Sequence, residues 1–275
     1  MPIHSTSFLE SLSALRVNID AIDQQLLQLI AQRCGLVEQV GALKHQYLDQ
    51  QHFIKPGREA MMMHHLLQST TNPALKPLIY TIWRHIIGAS LSFERPLHLS
   101  CVLPQHSMQL SADLLHYIQN YLPFAPYQLY DSVHDALANN HLPDQCLFIA
   151  LPLSQWIYAM KRHPNQRIFA LVPSPLSIPI YAVAALAPEP AHKDYSIWLL
   201  PSAVVIPLSH SRINTREMMN NGEDQFIVIE GYVQSLGELA SCLAVDESCL
   251  VGGKYLGGYS QIPDKEDIFP YSTHR

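Results

Sequence analysis

The chain has 275 residues, 48% of them apolar and 15% charged, with a formal net charge of −6. That composition supports one large domain or two ordinary ones with a sizeable core, and it excludes a disordered polymer. An acidic balance without a long basic run argues against a nucleic-acid partner.

The first predicted element is one long helix over residues 12–47. Leu12, Leu15, Ile19, Ile22, Leu26, Leu29, Leu36, Val40 and Leu43 recur in steps of three and four. Such spacing draws a narrow apolar seam suited to pairing with other helices. Arg33 occupies a seam position, and a guanidinium taken out of water requires an anionic partner. Arg16 and Lys44 flank the same seam 28 residues, or four heptads, apart. Asp20, Asp23 and Glu38 fall at other heptad positions, so the expected partner is a ligand carrying carboxylates. With a rise of about 1.5 Å per residue, Arg33 and Lys44 stand roughly 16 Å apart, close enough for their side chains to converge on a small dianion. Arg16 lies roughly 25 Å from Arg33 along the same helix. It can join that clamp only from a second, antiparallel copy of the chain. The plain alternative is a coiled-coil helix with one register-setting polar residue and ordinary surface cations.

Residues 49–52 read as a polar connection, and Lys55-Pro56-Gly57 as a turn. A second helix is predicted over 58–68, where REAMMMHHLLQ is rich in helix formers. Asn72 and Pro73 suit the cap and first position of a third helix over 73–94. Ser90 and Glu94, four residues apart, project side by side from it. Taken alone, the pair is explained more simply by an ordinary polar edge at a helix end.

The pattern changes at Arg95-Pro96. LHLSCVL, YQLY, CLFIAL and RIFALV read as strands, with helices over 108–121 and 132–139 between them. That alternation predicts an α/β layer on a largely parallel sheet. YAVAALA, YSIWLL, AVVIPL and FIVIEGYV follow as strands, with one helix over 235–243 before GGKYLGGY. The expected fold is therefore multidomain: an all-α region over 1–95, an α/β region over 96–190 and an α+β region over 191–275. GGKYLGG lacks the spaced first glycine and the hydroxyl residue of a phosphate loop, and is read as a turn beside a strand.

No basic cluster followed by an apolar core opens the chain, and no apolar run reaches the roughly 18 residues of a membrane helix. Neither a signal peptide nor a membrane partner is expected. Cysteines at 34, 101, 146, 242 and 249 are irregularly spaced, which predicts free thiols and a cytoplasmic setting. The 15 histidines form no ligand spacing, so no metal is expected.

LRVNIDAIDQQLLQLIAQR, VGALK, PGREA and IWRHIIGASLSFE together resemble the all-helical chorismate mutases in order and spacing over residues 9–95. The resemblance implies three helices per chain, interlocked in a homodimer with two active sites and no cofactor. It implies that Arg16 comes from the partner subunit, and that Arg33 is the own-chain carboxylate-binding arginine. Lys44 is similar to the lysine that meets a carboxylate and the ether oxygen. Arg58 and Glu59 correspond to the pair opening the second helix, whose glutamate meets the substrate hydroxyl. Ser90 corresponds to a carboxylate-binding serine, and Glu94 to the residue facing the ether oxygen. Lys55 departs from the acidic residue that one branch of the family carries there.

Residues 97–153 resemble the first lobe of prephenate dehydratase. HKDYSIWLL, SHSR, FIVIEGYV and KYLGGYS resemble fragments of a regulatory ACT domain. Too few residues remain for a second lobe, PIYAVA stands where the dehydratase has Thr-Arg-Phe, and SHSR replaces Glu-Ser-Arg-Pro. The expectation is a chorismate mutase in phenylalanine and tyrosine biosynthesis, with a non-catalytic regulatory or scaffolding C-terminal half. The alternatives are a bifunctional mutase–dehydratase, or a non-catalytic dimeric sensor of an aromatic amino acid.

Overall fold

The computed structural model describes residues 3–47, 54–142, 144–187, 189–191, 194–206, 219–260 and 268–269. The connection at 49–52 and the SHSR stretch at 209–212 lie outside them. Contacts group the chain into two units, Met1–Asp49 and Gln50–Arg275.

The first unit holds one helix, α1, Ile3–Tyr47. It starts nine residues before the first seam leucine, Leu12, and ends where the heptads end. Apart from the half-buried Leu12 and Arg33, the seam residues are exposed along it, Leu15 at 60%, Ile22 at 55% and Leu36 at 62%.

The second unit begins with α2, Pro56–Ser69, and α3, Lys76–Glu94. Pro56 sits in the first turn of α2, where its missing N–H costs no helix bond. The single turn Pro73–Leu75 leads into α3, and the Asn72 side chain accepts a hydrogen bond from the Ala74 amide at 3.1 Å. Arg95 is extended, as the residue before a proline must be, and that ends α3. Then come β1, His98–Val102; α4, Met108–Tyr121; β2, Tyr127–Tyr130; α5, Val133–Asn139; and β3, Gln145–Ile149. Ser107 and Ser132 cap α4 and α5 through their hydroxyls. A short α6, Leu153–Trp156, precedes β4, Arg167–Val172, and β5, Ile180–Ala184. The last elements are β6, Asp194–Pro201; β7, Met219–Asn220; β8, Asp224–Glu230; α7, Leu236–Leu243; and β9, Lys254–Ser260. A capping box between Ser235 and Glu238 opens α7.

The described strands form one nine-stranded sheet in the order β2-β1-β3-β5-β4-β9-β6-β8-β7. The sheet is mixed rather than largely parallel. β1 pairs in parallel with β2 and β3, but β5 enters between β3 and β4, antiparallel to both. The segment between β4 and β5 is too short for a helical crossover, so the chain turns back antiparallel. The sheet also runs unbroken past residue 190, because β4 pairs with β9 at Ile168 and Gly257. Gly257 has φ +116°, and a Cβ there would stand 2.2 Å from the Ile168 carbonyl oxygen. Residues 203–206 of the expected strand AVVIPL form a turn and irregular chain, and 207–208 lie outside the described residues.

Period-two alternation divides the side chains of the sheet between two layers. Leu99 and Cys101 of β1, and Cys146 and Phe148 of β3, face a core shared with Met63 and Leu67 of α2 and with Ile87 and Leu91 of α3. Val102, Leu147 and Ile149 face the other side, with Trp156. α2 and α3 thus bury one face against the sheet and α4. Gly88 permits the approach, since a Cβ there would stand 2.5 Å from the Pro123 ring.

Candidate active site

The expected site residues lie on α1, α2 and α3. Arg16 is exposed on α1, while Arg33 and Lys44 are half-buried there. Arg58, Glu59, Ser90 and Glu94 belong to the second unit. Arg58 is exposed, Glu59 and Glu94 are half-buried, and Ser90 is buried. The Ser90 hydroxyl donates to the Ile86 carbonyl at 2.6 Å, which fixes its rotamer one turn back along α3. Lys55, the residue departing from the family pattern, reaches Glu189 at 2.9 Å in a half-exposed ion pair.

Glu59 has a partner that the sequence reading did not single out. Arg84 Nη2 donates to Glu59 Oε2 at 2.9 Å, with the arginine side chain 1% exposed and the glutamate 12%. Arg84 stands on the buried stripe of α3 with Tyr80, Ile87 and Leu91, in steps of four, three and four. That spacing was visible in the sequence: a cation on the apolar face of an amphipathic helix needs an anion within reach. The guanidinium carbon lies 4.4 Å over the Tyr121 ring of α4, a cation–π contact away from water. Burial alone would lower the arginine's pKa, but the Glu59 carboxylate hydrogen-bonded to it opposes that and holds the group charged. Burial pushes the Tyr121 hydroxyl up to about 12, against the pull of Arg84. It raises Tyr80 as well. Both phenols therefore stay neutral beside the ion pair at ordinary pH. A cavity of about 80 Å³ adjoins the group, lined by Tyr80, Arg84, Tyr121, Val172 and Phe269 among others.

A second crevice of about 350 Å³ lies beyond the carboxyl ends of β1, β2 and β3, where open α/β sheets bind ligands. Gln105, His106, Asp131 and Gln155 are its polar lining residues, and neither lysine nor arginine lines it. The Gln105 amide donates to Asp131 at 3.3 Å. Such a lining offers poor grip to a dianion. Among the described residues no group of three or more metal-ligating side chains forms, and no helix is long and apolar enough to cross a membrane.

Residues 15–95 match the profile of chorismate mutase type II. This mutase-like stretch takes in α1 from its first seam positions, all of α2 and all of α3. The bifunctional chorismate mutase/prephenate dehydratase of Pseudomonas aeruginosa is 31% identical over 111 residues, which cover 39% of this chain and 30% of that protein. The protein of the same name from Stutzerimonas stutzeri is 28% identical over 111 residues, with the same shares covered. The matched stretch thus spans less than a third of those relatives. Among solved structures, prephenate dehydratase from Arthrobacter aurescens in complex with L-Phe is 13% identical with a TM-score of 0.43, covering 60% of this chain and 90% of that one.

Proposed function

We propose that this protein is a chorismate mutase, acting through residues 1–95 in the cytoplasm as a homodimer. The observation that carries the reading is the match over 15–95 to the type II mutase profile, a stretch in which the family resemblance assigns the site to Arg16, Arg33, Lys44, Arg58, Glu59, Ser90 and Glu94. Chorismate rearranges to prephenate within one molecule: a C–O bond breaks as a C–C bond forms, with no nucleophile, metal or cofactor. The protein's work is to hold a flexible dianion in its reactive shape and to oppose the negative charge that builds on the ether oxygen. In this reading Arg33 and the partner subunit's Arg16 grip the carboxylates, with Ser90 and Arg58 supporting them. Lys44 and the acid form of Glu94 donate to the ether oxygen, and Glu59 accepts from the substrate hydroxyl.

The C-terminal half, divided in this reading into regions 96–190 and 191–275, takes no part in the chemistry. Where a dehydratase has its Thr-Arg-Phe sequence, this chain has β5, whose five residues are all buried in the sheet. Among the described residues, no lysine or arginine lines the crevice at the parallel strand ends to hold prephenate. The test is to follow chorismate, prephenate and phenylpyruvate over time with the purified chain, with and without phenylalanine or tyrosine. Prephenate should accumulate, and added prephenate should form phenylpyruvate no faster than in buffer near neutral pH. Chorismate left unchanged would refute the mutase reading, and enzyme-dependent phenylpyruvate would refute the assignment of a non-catalytic C-terminal half.

A further inference from the structure

We propose that Arg84 is a positioning residue for the mutase step, and that the α/β half is the frame that holds it against Glu59. The inference rests on the mutase reading above and gives the C-terminal half a task within it. Arg84 is a costly residue for stability alone. Its Nε and Nη1 atoms are buried with no hydrogen-bond partner among the described residues. Unsatisfied buried donors are penalised, and a buried ion pair is often matched or bettered by apolar side chains of similar volume. An apolar residue at 84 would extend the core of Tyr80, Ile87 and Leu91 without that penalty. It could not hold a carboxylate in one place.

The geometry shows how the holding works. Glu59 stands in the first turn of α2 with 12% of its side chain exposed, so its carboxylate sits at the boundary between core and solvent. A charge-assisted bond from Nη2 to Oε2 selects one rotamer and leaves the rest of the carboxylate to a second donor. The guanidinium is in turn fixed by the Tyr121 ring beneath it, on a helix of the α/β half. Side chain by side chain, the order runs Tyr121, Arg84, Glu59. A carboxylate that must meet a substrate hydroxyl gains most from being fixed beforehand, because displacement of a reacting contact by about 1 Å costs on the order of 100-fold in rate.

Removal of the guanidinium would join its volume to the existing cavity of about 80 Å³. That supplies a test by chemical rescue in the full-length chain. Arg84→Ala should lower kcat/KM for chorismate about 100-fold. Millimolar guanidinium chloride should restore a large part of the loss, while sodium chloride at the same ionic strength should not. In a Glu59→Gln background, Arg84→Ala should cost less than about threefold and guanidinium should do nothing, because the pair acts as one unit. If Arg84→Ala does not fold, as judged by circular dichroism, Arg84→Lys and Tyr121→Leu carry the same comparison, each with a Glu59-dependent loss. Near-wild-type kcat/KM in the folded variant would overturn the inference, as would equal losses in both backgrounds. Both results leave the mutase reading standing, whereas a wild-type chain inert towards chorismate overturns the two together.

Discussion

Removing Glu59 should destabilise the protein more than removing the arginine it pairs with. In Glu59→Ala the Arg84 guanidinium keeps its charge, since it cannot deprotonate, and loses the acceptor at 2.9 Å. Its side chain is 1% exposed, so water cannot replace the lost bond without opening the core. Stranding one partner of a buried pair costs about 3–5 kcal/mol, and the partial exposure of Glu59 places this case near the lower end, about 3 kcal/mol. For a chain of this size that corresponds to a fall in Tm of roughly 6–12 °C. Arg84→Met leaves a carboxylate that can turn to solvent through its exposed edge, with a long apolar side chain in the guanidinium's place, and should cost less than about 1 kcal/mol. The double variant strands nothing and should resemble Arg84→Met, giving a coupling of about 3 kcal/mol. Urea denaturation followed by tryptophan fluorescence measures all four proteins, with urea chosen because a salt denaturant would screen the pair. Losses that add to within about 0.5 kcal/mol would show that the two side chains share no energy, and would refute the reasoning.

Three further outcomes follow from the proposed site. Arg33→Ala and Lys44→Ala should each lower kcat/KM by about 100-fold or more with unchanged circular dichroism, since each removes a charged donor from a dianion; near-normal turnover would refute their assignment. Arg16→Ala and Arg33→Ala chains should each be inactive alone, yet about a quarter of all sites should recover after random subunit exchange, because one site of each mixed dimer inherits both arginines. No recovery after confirmed exchange would rule out an arginine supplied across the dimer. An ionised carboxylate accepts hydrogen bonds but cannot donate one, whereas an amide always donates, so Glu94→Gln should turn over chorismate at least as fast as the wild type. A loss of about tenfold or more would refute the assignment of Glu94 to the ether oxygen.

The helices were legible in the sequence because their periodicities are long and their ends are marked. The stop at Arg95-Pro96 and the serine caps at 107 and 132 are local signals that tertiary packing left in place. The antiparallel entry of β5 was not legible. Pairing partners in a sheet are set by chain reversals and by neighbours far along the sequence, and the run IYAVA reads the same in either direction. AVVI at 203–206 has strand composition but follows Pro201, where β6 ends, and a turn begins with the Val204 amide bonded to the Pro201 carbonyl. Propensity lost there to turn geometry. Arg84 was missed for a different reason. The residues on α1 drew attention because a cation interrupts a strict heptad, whereas on α3 the strongest apolar period, Leu75, Leu78, Ile82, Ile86 and Ala89, runs along the side opposite Arg84, and Leu78 and Ile82 of that face are exposed. The partner of Arg84 lies 25 residues earlier on another helix, so only the packing of α2 against α3 brings the two together.

α1 poses the complementary problem. It has 45 residues, and its leucines and isoleucines, unlike Leu67 of α2 and Ile87 and Leu91 of α3, remain largely in water within the single chain. An exposed apolar seam of this length marks an interaction surface. Covering each seam side chain contributes roughly 1.5–3 kcal/mol, so a second copy laid along it supplies on the order of 20 kcal/mol before costs, against an association cost of about 4–15 kcal/mol. The proposed dimer therefore has enough apolar surface in α1 alone. Arg33 works against it, because its charge sits in the middle of the surface to be buried and needs an anion before that burial is favourable. A second copy of the same helix brings another Arg33 and no acidic residue at a seam position. In the proposed site a dianionic substrate would supply that anion, which is the reason for placing the site within the dimer seam rather than on its surface.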